Sequence, residues 1–193
     1  MPDKHETPRP QAVVVIRPPW APEGDGAIAQ ALREDLLEVL QLLRLRIHEP
    51  RDPAAGLKSI ADNKGPSLVT FTDVPALPPD CVDGALEDLD EFDVVVGPCP
   101  DDSVYLLAFN HGVEAPMIEA IIKAALDPEC LPEIANLLEQ SELEVAVLPP
   151  WFRIGNSNQL SFAESLARLS LMSEDGDEQF TADRLRIWFE NRQ

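Results

Sequence analysis

Apolar residues along this chain fall into two patterns, short, mostly apolar runs and longer stretches with helical spacing. The runs are Ala12–Ile16 (AVVVI), Ser67–Phe71 (SLVTF), 93–97 (DVVVG), Val104–Phe109 (VYLLAF) and 143–148 (LEVAVL). Each is rich in β-branched or apolar residues and is followed by proline or by polar turn formers, so each predicts a strand. AVVVI has no polar alternation at all, as expected of a central parallel strand covered on both faces. A further short strand is predicted at 45–48, closed by Glu49-Pro50. Helical spacing is clearest over 27–43, where Ile28, Leu32, Leu36, Val39, Leu40 and Leu43 form one face. Arg33, Glu34, Glu38 and Gln41 face away, and Asp25 or Gly26 is placed to cap. The same spacing predicts helices over 78–89 (Val82, Ala85, Leu86, Leu89), 115–126 (Met117, Ile118, Ile121, Ile122, Leu126), 131–140 and 159–171. A short helix is expected around 55–62 and a terminal one over 181–192, with Leu185, Trp188 and Phe189 packing on the body.

Strand, loop, helix, strand is the pattern of an α/β protein. We expect a single three-layer α/β/α domain over 12–172, with a mixed, mainly parallel sheet. Residues 1–11 read as a polar, proline-rich tail, and 173–193 as an acidic linker plus the terminal helix. In such sheets ligands bind beyond the carboxyl ends of the strands. Asp73 after the 67–71 strand, Asp101 after the 93–97 strand, and the loop 18–26 with Trp20 all fall there. The stretch 67–109, which holds both acids, is therefore the place to look for chemistry.

Composition narrows the partners. A chain of 193 residues with 45% apolar content can bury a sizeable core. Fifteen basic against thirty-five acidic residues give a net charge of −20, which repels nucleic acid and anionic membrane surfaces. Three separated cysteines, Cys81, Cys99 and Cys130, form no CxxC or Cys/His cluster, which argues against structural zinc and a disulfide framework. The opening residues carry no apolar signal region, and no run reaches transmembrane length, so a cytoplasmic location is the expectation. An apolar face on the terminal helix, with Leu185, Trp188 and Phe189, could support a homodimer, but docking on the chain's own body is the preferred reading.

The residues around the two acids carry a resemblance. LVTFTDVPALPP resembles the strand-plus-acid motif of the nucleotide-diphospho-sugar transferase-like proteins with the GT-A fold, most closely the bacterial family of selenium-associated transferase-1-like glycosyltransferases. That family writes an apolar strand, then Ser-Asp-Cys-Pro, then Leu-Pro-Pro; here Thr72-Asp73-Val74-Pro75 and Leu77-Pro78-Pro79 stand in those places. A second match is DVVVGPCPDDSVYLLAF. Asp93, Gly97, Pro98, Asp101, Tyr105 and Leu106 fit the family's Asp-Val-Val-Leu-Gly-Pro, two residues, Asp-Gly-Gly-Tyr-Tyr-Leu, with Asp102 and Ser103 replacing the two glycines. A third is LEVAVLPPWF, similar to the family's late strand ending in Leu-Pro-Pro. Together the matches span roughly residues 12 to 170 in the family's order.

The resemblance implies a glycosyl- or nucleotidyltransferase-like protein acting on a nucleotide-sugar or nucleotide-type small molecule, with Mg or Mn as cofactor. Such a transfer leaves a diphosphate whose developing charge needs cations. Hard divalent ions take carboxylate oxygens, so Asp73 is the expected metal ligand and Asp101 the expected base or second ligand. Asp102 and Ser103 would line the donor site. The family's first loop carries Lys-x-Pro-x-Pro-Gly and then Lys-Thr-Arg, whereas residues 17–28 here keep only Arg17, prolines and glycines. Donor binding then leans on Arg17 and Arg153, with Trp20 able to stack on a base or sugar. The family's late Asp-x-Asp is replaced by Arg153-Ile154-Gly155-Asn156. These departures keep a second reading open: a non-catalytic binding or assembly module that retains the fold. Each residue also has a plainer role. Asp73 can close a strand as a turn residue, Asp101-Asp102 can be a solvated turn, Trp20 and Trp151 can cover the core edge, and Tyr105 can pack in the sheet. Nothing matches a nucleophile elbow or a glycine-rich phosphate loop.

Overall fold

A computed structural model describes residues 12–16 (backbone only), 26–50, 60, 65–172 and 182–191. Six strands make one sheet: β1 (Ala12–Ile16), β2 (Ile47–His48), β3 (Ser67–Phe71), β4 (Val94–Pro98), β5 (Val104–Phe109) and β6 (Val145–Val147). Their order across the sheet is β2-β1-β3-β5-β4-β6. Neighbours β2/β1, β1/β3 and β4/β6 are parallel, and β5 runs antiparallel to both β3 and β4. The reason is local. β4 and β5 are joined by a turn of a few residues, which can only reverse the chain, whereas the parallel neighbours are joined by longer crossovers. The predicted mixed, mainly parallel sheet is therefore what forms.

The helices are α1 (Gly26–Leu42), α2 (Pro79–Asp88), α3 (Ala115–Ala124), α4 (Leu131–Glu139), α5 (Ser157–Ser170) and α6 (Asp183–Asn191). All six lie where the periodicity put them, with boundaries shifted by one to a few residues; the short helix expected at 55–62 lies largely outside the described residues. No described helix is long and apolar enough to cross a membrane. Every residue of β3 and β5 is buried, so both faces of the sheet centre are covered, while β6 at the edge is partly exposed. The larger core joins Leu68, Val69 and Phe71 of β3 and Leu106 and Leu107 of β5 to Ile121 and Ile122 of α3, Val82 of α2 and Leu40 of α1.

A second core lies at the other end of α1. Ile28 and Leu32 pack with Phe152, Ile154, Ala163 and Ala167 and with Leu185 and Phe189 of α6. The last helix thus docks on the body, and the apolar face that could have served a homodimer buries Leu185 and Phe189 within the chain. Its anchor is polar. Asp35, buried among the apolar residues of α1, accepts hydrogen bonds from the backbone N–H of Leu185 (2.9 Å) and Arg184 (3.1 Å) and from Arg184 Nη1 (3.2 Å). A carboxylate on one helix thereby caps the first turn of another, satisfying amides that have no partner within α6. Removing it in Asp35→Ala should cost about 0.5–2 kcal/mol, the usual price of a lost cap, read as a lower urea midpoint.

Burial raises the Asp35 pKa against the opposing pull of the Leu185 and Arg184 hydrogen bonds and the Arg184 charge. A carboxyl whose folded pKa is raised holds its proton more tightly in the folded chain. Its contribution therefore favours folding in acid and declines as pH rises from the unfolded pKa through the folded one. The stability of the wild type relative to Asp35→Asn should accordingly fall over that window and then level off. A difference that instead rises with pH would reverse the sign argued here.

Candidate active site

Because β1, β3, β4 and β6 point the same way, their carboxyl ends and the start of β5 share one edge of the sheet. Three described segments leave that edge: 72–78 after β3, 99–103 between β4 and β5, and 148–156 after β6. Residues 17–25, which follow β1 in sequence and include Arg17 and Trp20, lie outside the described residues.

The third segment is sewn across the ends of the other strands. Leu148 N–H donates to Val96 O (2.9 Å), and Pro149-Pro150 then ends the ladder by removing its donors. Trp151 N–H reaches Pro98 O (3.1 Å), and its indole N–H reaches Pro75 O (2.8 Å). The Tyr105 hydroxyl donates to Pro149 O (2.9 Å), and Ile154 N–H donates to Asp73 O (2.8 Å). Trp151 is thus half-buried cover for the core edge.

At the middle of this seam Arg153 enters the protein. Its Nε lies 2.9 Å from Asp73 Oδ1, its Nη1 donates to Val104 O (3.1 Å), and its guanidinium carbon sits 4.0 Å above the Phe71 ring. Both side chains of the pair are only 2% exposed. Arg153, read from sequence as a phosphate contact, is instead turned inward and shut away from solvent. Asp73, the expected metal ligand, meets a guanidinium, with β3, β5 and the 148–156 segment all meeting at the pair.

Asp101 stands apart from that pair, on the exposed turn. Its Oδ1 accepts from Ser103 Oγ (2.7 Å) and Ser103 N–H (3.3 Å), and its Oδ2 accepts from Gln159 Nε2. Gln159 also receives the N–H groups of Gly155 (2.7 Å) and Asn156 (3.1 Å), while Asn156 Oδ1 receives those of Asn158 and Gln159 (3.0 Å each). That reciprocal box starts α5 and ties it to the β4–β5 turn. Asn156 is therefore a helix cap. Gln159, which sequence reading passed over, orients Asp101; its signal was the Asn-x-x-Gln spacing of a capping box. Ser103 is buried, and Asp102 is exposed with φ 62°. A left-handed residue at the place of a glycine explains how the turn survives the substitution, because Asp tolerates that region better than most residues.

The thiols nearby are quiet. Burial pushes Cys99 up to about 12 and Cys130 up to about 11, so neither is a thiolate at neutral pH.

A divalent cation does not fit these residues as they stand. Mg or Mn takes one or two accessible carboxylates with water and phosphate completing the shell. Here one acid is buried against a guanidinium and the other is engaged by Ser103 and Gln159. Among the described residues no group of three His, Cys, Asp or Glu side chains gathers to hold an ion.

Comparison with known proteins bears on the fold. No family model and no curated protein matches the sequence. Among solved structures, a protein of Desulfovibrio desulfuricans G20 assigned to the nucleotide-diphospho-sugar transferases is similar at a TM-score of 0.61 and 17% identity, over 94% of this chain and 96% of that one. The 4-diphosphocytidyl-2C-methyl-D-erythritol synthase of Anaerococcus prevotii DSM 20548 is similar at a TM-score of 0.51 and 13% identity, over 82% of this chain and 99% of that one. The architecture is therefore that of the nucleotide-diphospho-sugar transferase-type fold.

Proposed function

We propose that this protein binds a nucleotide or nucleotide-sugar at the carboxyl edge of its sheet and acts there as a glycosyl- or nucleotidyltransferase. The observation that carries the reading is the exposed Asp101 carboxylate, held at the sheet edge where this fold places ligands and oriented from two sides by Ser103 and Gln159. Support also comes from the similar structures, one assigned to the nucleotide-diphospho-sugar transferases and the other a 4-diphosphocytidyl-2C-methyl-D-erythritol synthase. In this reading Asp101 accepts the proton of an acceptor hydroxyl as its oxygen attacks the donor; in glycosyl transfer the nucleoside diphosphate leaves the sugar carbon with the bonding electron pair, and in nucleotidyl transfer diphosphate leaves the α-phosphorus with it. Asp102 lines the approach, while Ser103, which is buried, orients Asp101. Arg17 is proposed as the phosphate contact and Trp20 as the stacking residue for base or sugar; both lie outside the described residues.

The alternative is a non-catalytic module. The pair Asp73–Arg153 is sealed from solvent, so two charged side chains at this edge are unavailable to a ligand. A thermal-shift panel of nucleotides and nucleotide sugars separates the readings. A ligand at about 100 times its dissociation constant adds roughly 2.7 kcal/mol, which is a rise of roughly 5–10 °C in a domain of this size. No shift from folded protein across the panel would leave the module as the better account. With the donor in hand, Asp101→Asn should lower kcat about 10²-fold or more, the usual share of a positioned base. Donor affinity should change little. A rate that stays within a factor of about two would remove Asp101 from the chemistry.

A further inference from the structure

We infer that Arg153 takes the position beside Asp73 that a divalent ion would need and closes this acid to metal, so that ligand binding at this edge is independent of metal. The inference deepens the transferase reading, on which it rests for the identity of the edge, but its central test needs no nucleotide.

Three observations carry it. The first is charge. A divalent ion is drawn to a site where carboxylates outnumber fixed cations. Asp73 Oδ1 lies 2.9 Å from Arg153 Nε, so a fixed positive charge already stands against this carboxylate. The second is confinement. The guanidinium is held by Asp73, by the Val104 carbonyl and by the face of Phe71, and it is 2% exposed. An ion approaching Asp73 would meet a positive charge at close range that has no solvent to swing into. Arginine also keeps its proton at any ordinary pH and gives directed hydrogen bonds to a carboxylate, so it holds this place permanently. The third is the second acid. Asp101 accepts from Ser103 and Gln159 on the exposed turn, in a set of hydrogen bonds separate from the buried pair. The two acids thus serve two different devices, one anchoring the seam and one facing solvent.

The test is a Mn²⁺ titration of the full chain, followed by the electron paramagnetic resonance signal of free Mn²⁺, at ~0.15 M salt so that the acidic surface is screened. The expected result is no saturable one-to-one site, and the same curve for Asp73→Asn as for the wild type. A saturable site in the wild type that Asp73→Asn abolishes would overturn the inference. Should Asp73→Asn fail to fold, the wild-type curve still decides, since a saturable site counts against the inference and diffuse binding supports it. In parallel, any nucleotide that raises the melting temperature should do so equally in EDTA and in Mn²⁺, with a Kd changing by less than about twofold. A shift seen only with Mn²⁺ overturns the inference and leaves the transferase reading intact. A panel without any shift sinks that reading, while the Mn²⁺ titration still decides the role of Arg153.

Discussion

Replacing Arg153 by methionine is expected to destabilise the fold by about 3–5 kcal/mol, the range found when one member of a buried ion pair is removed. Methionine keeps much of the side-chain volume, so little of the loss comes from a cavity. It comes from the Asp73 carboxylate, left in a position that is 2% exposed with its guanidinium gone. The Val104 carbonyl loses its donor, and the Phe71 face loses a cation 4.0 Å away. At 2–4 °C per kcal/mol for a chain of this length, the melting temperature should drop by roughly 6–20 °C. Two controls assign the mechanism. The stranded carboxyl gains by taking up a proton, so the deficit of Arg153→Met should narrow as pH falls. The double variant Asp73→Asn/Arg153→Met should be less destabilised than the sum of the singles, because replacing both partners removes the uncompensated charge. A loss below about 1 kcal/mol, typical of exposed pairs, would mean that water reaches the pair and that it does not hold the seam.

Gly97→Ala should cost about 2–3 kcal/mol through overpacking. A methyl group built there lies 2.7 Å from Tyr105 Cζ and 2.8 Å from Cε1, distances at which something must move. The ring has little freedom to yield. Tyr105 is fully buried, its hydroxyl donates to Pro149 O, and its own carbonyl accepts from Thr70 Oγ1 (3.0 Å). The strand already shifts register at Gly97/Pro98, which lets the tyrosine lie across the glycine. Tyr105→Phe should not relieve the clash, since the offending ring atoms remain. Tyr105→Leu should, giving a coupling energy of about 0.5–3 kcal/mol in the double-mutant cycle. Because the same hydroxyl fixes Pro149, Gly97→Ala should also loosen the segment carrying Arg153, seen as faster hydrogen exchange at Ile154. A cost under about 0.5 kcal/mol would show that the ring moves aside freely.

These two expectations explain why Gly97 and Tyr105, matched residues in the sequence resemblance, belong together: the absent side chain of one makes room for the ring of the other. A sequence shows both residues but not that they touch.

The amino-acid sequence by itself determined the layout. Short β-branched runs bounded by proline and turn formers read as strands, and the 3.6-residue spacing of Ile28, Leu32 and Leu36 reads as a helix with one buried face. Turn chemistry between those elements then put Asp73 and Asp101 on the loops that leave one sheet edge. All of this depends on residues a few positions apart, which is why it can be read along the chain. What Asp73 meets was decided elsewhere. Arg153 lies eighty residues further on, and its reading as a phosphate contact failed because an arginine looks the same in sequence whether it faces solvent or a buried carboxylate. Asp35, in the middle of α1, caps a helix 150 residues away at Leu185. Gln159 serves its own helix and Asp101 at once. Only the tertiary structure settles such pairings, because a buried charge must find a partner wherever the fold brings one within reach, and that partner's distance along the chain costs little once the fold has closed.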